Sequence, residues 1–436
     1  MKRLRLALAA ICCASLWAIT AEGICLPIVC GPPPPTLWVW GDGLSPCNST
    51  LQDCIDQAAP GDVVEIDTNG VIDEAVSIPK SLTLRAAPNF EPAFAVGRSL
   101  AATFTGTDAS ASQSIDIEGL SFTDGAISVS QAASGPLAVR IVGNTFSNFV
   151  LNKFSIDLET GGSSGVGKVT FDLSSNRMNV ILGILVNTDN GAELSGSVND
   201  NVIAMNKISD AILIRTGDAQ SLSVDVIGNR ISGIPASGIL VIQESGNTAE
   251  ARILNNLVTD QMEGAPGEGA IGLDARTGTL TASVVNNTIA DGNSGIVCTG
   301  SLAGLVANNI VTGNSGFGID IDPSDAATLP DRNNLVFANG DNLFSAGPGT
   351  VVADPFFVDT AHGDYHLKPG SPAIDAGDDG SLPGELTTDL DGNPRIQGAH
   401  VDIGASEAPE PAGALDAMAS LLVLAGLASR RRCLGS

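Results

Sequence analysis

Aromatic side chains are scarce. They make up 4% of the 436 residues, with three tryptophans and one tyrosine. Rings that could stack on a sugar or another planar ligand are therefore few, and beyond the first twenty residues the only tryptophans are Trp38 and Trp40. Basic residues are also thin, 21 Lys and Arg against 48 Asp and Glu, for a net charge of −27. Lys2, Arg3, Arg5 and Arg430 to Arg432 sit at the two ends, so the body between them is more acidic still. Such a body repels nucleic acid and anionic membrane surfaces. It would repel an acidic polysaccharide too unless calcium bridged the two, and its charge favours solubility outside a cell. The three histidines, His362, His366 and His400, all fall near the C-terminus. They give no Ser/His/Asp order and no metal-ligand spacing. The apolar runs Leu6 to Ile19 and Ala417 to Ala428 both fall short of the roughly 20 residues that cross a bilayer.

What the chain has instead is a repeat. A short alternating strand, an Asn and a second short strand recur from Leu137 to Phe337. The Asn falls at 144, 176, 201, 229, 256, 287, 309 and 334, in steps of 22 to 32 residues. A period in that range marks a solenoid. Asn tolerates the left-handed backbone that a tight corner needs, and stacked Asn amides can bond from coil to coil. A second phrase follows most of these Asn residues: Gly183-Ile184, Ala211-Ile212, Gly238-Ile239, Ala270-Ile271, Gly295-Ile296 and Gly318-Ile319. Each opens another alternating strand, so one coil holds three short strands and a corner of variable length. Leucine-rich and ankyrin repeats keep fixed periods with Leu-rich or helical consensus segments, and this chain has neither.

The fold class expected is all-β, a right-handed parallel β-helix with a short N-terminal α-helical cap, and the pattern resembles the pectin-lyase-like superfamily. In the cap, Leu51, Ile55 and Ala58 share one helical face and Pro60-Gly61 stops the helix. Without a cap the first coil would expose an unpaired strand edge. Leu51 to Ile66 followed by Val76 to Arg85 looks like the cap and first coil of many secreted β-helix proteins. Residues 88–136 read as looser coils, in which Ile115 to Phe122 keeps strand register but lacks the corner Asn.

The ends suggest export. Residues 1–23 carry a charged start, an apolar run and small residues at Ala21 and Gly23, the parts of a secretory signal. Residues 24–44 read as a Pro-rich linker, and 45–350 as the cap and solenoid. Export permits disulfides, and the economical pairings are Cys47–Cys54 and Cys25–Cys30. Cys298 lies on the Ile296 side of its strand and reads as a core thiol. Residues 351–408 contain Asp354-Pro-Phe-Phe-Val-Asp, then Gly363 to Gly377, Asp389 to Arg395 and Val401 to Glu407. In that order they resemble the choice-of-anchor Q domain, which implies a segment closing the C-terminal end of a surface β-helix. Residues 409–436 join Pro409-Glu410-Pro411 to an apolar run and Arg430 to Arg432, and resemble a PEP-CTERM sorting tail.

Enzymes on this fold work on the outward side of one strand column. Here that column holds Asn187, Arg215, Ile242, Asp274, Thr299 and Asp322, beside Leu185, Leu213, Leu240, Gly272, Val297 and Asp320. Asp320 and Asp322 fall on one face, roughly 6–7 Å apart along the strand. Two carboxyls at that distance suit an inverting glycosidase, or could hold calcium through their oxygens. Arg215 is the one base in its column. The loop Asp389 to Asn393 opens like a calcium loop but lacks an acid at the twelfth position, which is His400, and reads as a turn; Asp375, Asp378 and Asp379 lie near it. No complete catalytic motif is present. The expected role is structural or polysaccharide-binding. A polysaccharide lyase or glycoside hydrolase, using Arg215, Asp274, Asp320 and Asp322, is the alternative. The expected partners are an extracellular polysaccharide or cell-surface matrix and the export and sorting machinery. Nucleic acid is excluded, the membrane is met only in transit through the tail, and the chain is expected to act as a monomer at the cell surface, at the outer membrane or outside the cell. No cofactor other than calcium is implied.

Processing gives the first test. Intact-mass analysis of protein from the native host should find a start near Ile24 and loss of everything beyond the Pro-Glu-Pro region. A surface-located form that keeps Arg430 to Arg432 would contradict sorting.

Overall fold

A computed structural model describes residues 34–41, 47–105, 112–148, 153–161, 167–189, 191–205, 210–234, 236–261, 269–322, 328–343 and 347–409, with backbone alone at 17–19 and 25–27. The sorting tail beyond Pro409, most of the signal sequence and the Cys25–Cys30 pairing lie outside the described residues.

The described chain winds into a parallel β-solenoid with three faces. Sheet one holds the strands behind each Gly/Ala-Ile opener, from Val76–Ile78 through Ile184–Asp189 and Ile212–Arg215 to Asp341–Leu343. Sheet two holds the strands leading into each Asn, from Leu37–Trp40 through Lys168–Ser174 to Asp331–Arg332. Sheet three holds the eleven short strands after the Asn, from Val71–Ile72 to Leu335–Phe337. Successive coils pair parallel and in register. Alternation then places every second residue inside, where like side chains stack. Ile239, Ile271, Ile296 and Ile319 pair in one column and are buried. In sheet three the inward column includes Phe94, Phe122 and Phe146, whose rings stack with centroids 4.6 and 5.3 Å apart.

The eight repeating Asn side chains are buried and form one continuous ladder. Each Nδ2 donates to the Oδ1 of the next, from Asn144 to Asn176 at 3.2 Å through Asn309 to Asn334 at 3.0 Å. The same Oδ1 also accepts the backbone N–H of the preceding Asn. Nδ2 donates a second bond back to a carbonyl of the coil before, as Asn256 does to Val226 at 2.8 Å. Every donor of the amide is thereby satisfied without water. One expectation is corrected: the left-handed residue is not the ladder Asn but its predecessor. Gly143, Ser175, Asp200, Gly228, Asn255, Asn286, Asn308 and Asn333 all have φ between 49° and 70°. The predecessor turns the chain, and the turn swings the next side chain inward. Residues 88–136 are more regular than expected. Leu120 takes the ladder place in its coil, buried, and its N–H donates to Asn144 Oδ1.

The cap helix Leu51–Gln57 buries Leu51, Cys54 and Ile55. Thr50 caps it by accepting from Asp53 N–H at 3.0 Å. Glu74, from the first coil, accepts from the N–H groups of Leu51 and Gln52 at 2.7 and 3.0 Å. Cys47 and Cys54 are joined in a disulfide, Cα atoms 4.7 Å apart, and Cys298 is buried in the core. The segment read as linker is shorter than expected: Leu37–Trp40 pairs with Val63–Ile66 as the first strand of sheet two. Trp38 and Trp40 pack against the core, and Trp38 Nε1 donates to the buried Asp62 carboxylate at 2.8 Å. They belong to the cap end of the solenoid.

The C-terminal segment also departs from expectation. After Val351 bridges Leu335 at the last coil, residues 353–409 run back along the flank instead of closing the end. They cover the outward side of sheet three, where Ile310 and Leu335 pack with Leu367, Ala373, Ile403 and Ala408. The left-handed Asn residues hold them there. Asn255 Nδ2 donates to the Thr388 carbonyl at 2.7 Å, Asn286 to Asp402 at 2.9 Å, Asn308 to Asp378 at 3.1 Å and Asn333 to Ala376 at 3.2 Å. Arg230 reaches Asp391 at 2.5 Å, and Arg252 meets Glu385.

Asn256→Ala should break the ladder at its centre. It removes the acceptor of two Asn229 N–H groups and leaves Val226 O and Asn287 Oδ1 short of a donor. Several buried polar groups are orphaned, so denaturant unfolding should show a loss of about 3–5 kcal/mol. A loss under about 1 kcal/mol would mean that the ladder is incidental to stability.

Candidate functional site

The outward columns of sheet one lie as the register requires. Leu185, Leu213, Leu240, Gly272, Val297 and Asp320 pair in succession. Two residues further on, Asn187, Arg215, Ile242, Asp274 and Thr299 form the neighbouring column. Val297 and Ile242 are nevertheless buried, at 2% and 6% exposure. The Gly269 backbone lies against Val297, leaving no room for a Cβ there. The long Arg215 and the small Asp274 flank Ile242 in its column. The first column is thus an apolar rail and the second a polar one.

The polar rail is cross-linked. Arg215 Nη2 donates to both oxygens of Glu244 at 3.0 Å. Arg276 Nη1 donates to Glu244 Oε1 at 2.7 Å, and Arg276 Nε to Asp274 Oδ2 at 2.7 Å. Thr299 Oγ1 donates to the other Asp274 oxygen at 3.4 Å. Five side chains from four coils are thereby held in one arrangement. Arg215 and Asp274 fall in the same network as the sequence pattern suggested, joined by Glu244 and Arg276, which lie just past their strands' regular alternation and were missed.

Asp320 and Asp322 lie one coil further on, at the end of these columns. Asp320 is half-buried; burial, then Asp322 and Asp341, hold its carboxyl above the usual range. Asp322 lies beyond the strand Phe317–Ile321 and is exposed. Among the described residues, no three His, Cys, Asp or Glu side chains are grouped so as to hold a metal ion. The Asp389 loop is a turn. Its carboxylate accepts from the N–H groups of Asp391, Asn393 and Glu407 at 2.8–3.0 Å. Asp375 accepts from Ala399 and His400, and Asp379 from Val401.

A further carboxyl pair was missed. Asp157 and Glu159 extend the two columns at the other end, paired with Leu185 and Asn187. No Gly or Ala opener precedes their strand, so the repeat did not flag it. Burial, reinforced by Glu159, pushes the Asp157 carboxyl up to about 6. Its Oδ1 is buried without a hydrogen-bond partner.

A family profile described as right handed beta helix region matches residues 210–358. No curated protein matches the chain in sequence. Among solved structures, pectate lyase Pel9A is similar at 13% identity, with 82% of this chain and 91% of that chain covered and a TM-score of 0.51. A mutant of the PL6 family alginate lyase AlyGC shows 14% identity over 86% of this chain and 59% of that one, with a TM-score of 0.37. At this identity the Pel9A likeness is one of fold: the chain is a right-handed parallel β-helix of the pectate-lyase type.

Asp157 generates a pH-dependent prediction. A carboxyl whose folded value is raised favours the folded state while protonated and opposes it once ionised. The opposition grows as pH rises from the ordinary 3.8 through about 6. Asp157→Asn should therefore melt higher than the parent at pH 7–8, with the gap closing below pH 4. Equal melting temperatures at pH 7.5 would show that the carboxylate is well solvated.

Proposed function

We propose that this protein is an exported, surface-sorted β-helix that binds an extended extracellular polysaccharide along the outer face of sheet one and acts as a scaffold. The observation that carries the reading is the cross-coil network of Arg215, Glu244, Arg276, Asp274 and Thr299 beside the apolar rail of Leu185, Leu213 and Leu240. A sugar chain presents hydroxyls along its edges and C–H groups on its faces, and needs both kinds of partner. Coils rise by roughly 4.8 Å, close to the length of one extended pyranose unit, so the rails can meet successive sugars. Because the charges of the rail are engaged with one another, they offer fixed hydrogen-bond geometry in place of a base or an acid.

Export and sorting rest on the signal-like residues 1–23, the choice-of-anchor Q resemblance of 351–408 and the PEP-CTERM resemblance of 409–436. The fastening of residues 353–409 to the flank is consistent with them, since a tether joined at Pro409 would hold the whole solenoid. One observation favours a second reading, a glycoside hydrolase or lyase: the raised carboxyl of Asp157, with Glu159 on the same face, is the kind of group that serves as a general acid.

The test is a glycan array and a reducing-end assay on the mature protein, with and without calcium. Binding without release of reducing ends is expected. The pair Arg215→Ala and Glu244→Ala should weaken it about tenfold, the loss of one or two charge-assisted bonds. Binding to no glycan would sink the scaffold reading. Reducing ends that vanish in Asp157→Asn would establish the second.

A further inference from the structure

Sheet two carries a separate concavity. It lies on the outward side of the strands Leu82–Ala86, Gln113–Glu118, Leu137–Val142 and Lys168–Ser174, an open hollow of about 420 Å³. Its floor is Ala138. In that column Ser114, Ala138 and Thr170 pair in register, and one methyl between two hydroxyl-bearing neighbours leaves the hollow. The next column runs Thr83, Asp116, Arg140 and Asp172. One wall is therefore rich in hydroxyls and the other in charge.

The charged wall is out of balance. Arg140 Nη1 donates to both oxygens of Asp116 at 2.8 and 3.0 Å and to Glu118 at 3.2 Å. Its Nε lies 3.9 Å from Asp172. Three carboxylates share one guanidinium. Of the other cations on this face, Arg85 is engaged by Glu65 at 2.9 Å and Lys168 stands opposite Glu193 in register. Beyond Asp172 the excess continues, since burial and then Asp172 itself hold Asp200 above the usual carboxylate range. A polyuronate would meet this surplus with like charge. A neutral sugar would leave it unused.

We propose that the trough binds an oligosaccharide bearing protonated amino groups, its hydroxyls met by Thr83, Ser114 and Thr170 and its ammonium groups by the Asp172 and Asp116 carboxylates. A pyranose ring can lie on Ala138 with its edge toward the charged wall, and the coil rise brings the next ring to the next pair of side chains. This is a site distinct from sheet one, so the two stand or fall separately.

Calorimetry on the mature protein tests it with three probes: a glucosamine tetramer, its fully N-acetylated form and spermidine. The glucosamine tetramer should bind, and acetylation, which removes the charge, should weaken it at least about tenfold. Ala138→Trp fills the trough from an exposed position and should abolish binding. Asp172→Asn, which preserves size, should weaken it several-fold. The Arg215→Ala, Glu244→Ala pair should leave it unchanged. Equal affinity for the acetylated tetramer would overturn the charge argument. Spermidine binding as tightly as the sugar would remove the hydroxyl wall from the site. Undiminished binding in both folded trough variants, judged by melting temperature, would place the ligand elsewhere.

Discussion

The amide ladder is the constraint on which the rest of the structure depends. Coils of 22 to 32 residues cannot share a register unless something resets each of them. A buried Asn does so because its amide must find partners on both sides. It donates one bond forward to the next Asn and one back to the coil before, and its oxygen receives two. A coil that slipped by one residue would orphan several of these groups at once, in a core with no water to replace them. Variation in coil length is thereby driven to the corners opposite the ladder. At its first coil the ladder gives way to the apolar Leu120.

Register fixed at one corner is carried around the whole coil. Outward side chains on sheets one and two then fall into columns at the spacing of the coils, and charged ones find partners in the coil above or below. Asp116 with Arg140, Asp225 with Arg252 and Arg215 with Glu244 are all of this kind. Half-exposed pairs like these add only about 0–1 kcal/mol each to stability. Their larger effect is on geometry, because a side chain paired across coils has few rotamers left. The candidate sites inherit their rigidity from the ladder through these pairs.

This hierarchy explains what the sequence could and could not reveal. The ladder, the openers and the Ile column were legible because each repeats, and repetition survives loops of any length. The left-handed residue was misplaced by one position because the doublets Asn255-Asn256, Asn286-Asn287, Asn308-Asn309 and Asn333-Asn334 offer two Asn residues for two different tasks. Glu244 and Arg276 were missed because they lie past the alternating stretch that defines the columns. Asp157 was missed because Phe154-Ser155 stands where other coils have Gly or Ala. The path of residues 353–409 could not be read at all, since a segment without a period carries no register of its own.

Those doublets do carry the missing information once their two tasks are separated. The second Asn of each belongs to the ladder in every coil. The first must turn left-handed, which Gly143, Ser175, Asp200 and Gly228 do without further duty in the earlier coils. In the Gly228 coil Arg230 makes the contact with the C-terminal segment, and in the next four coils an Asn stands at the left-handed place. Its side chain points outward and supplies an amide donor to a carbonyl of that segment. The segment in turn is braced by the buried Arg395, which donates to the carbonyls of Ala405 and Asp402 and lies 3.4 Å from Glu407. Burial raises the Glu407 carboxyl to about 8, an effect that the neighbouring Arg395 guanidinium opposes. A pull on the chain at Pro409 therefore reaches Ala408, packed on Ile310 and Leu335, then the outer Asn of each doublet, and through the adjacent residue the ladder itself. Load applied at that point is thereby shared among the coils the segment touches, through the outer Asn residues and Arg230, each next to a ladder Asn.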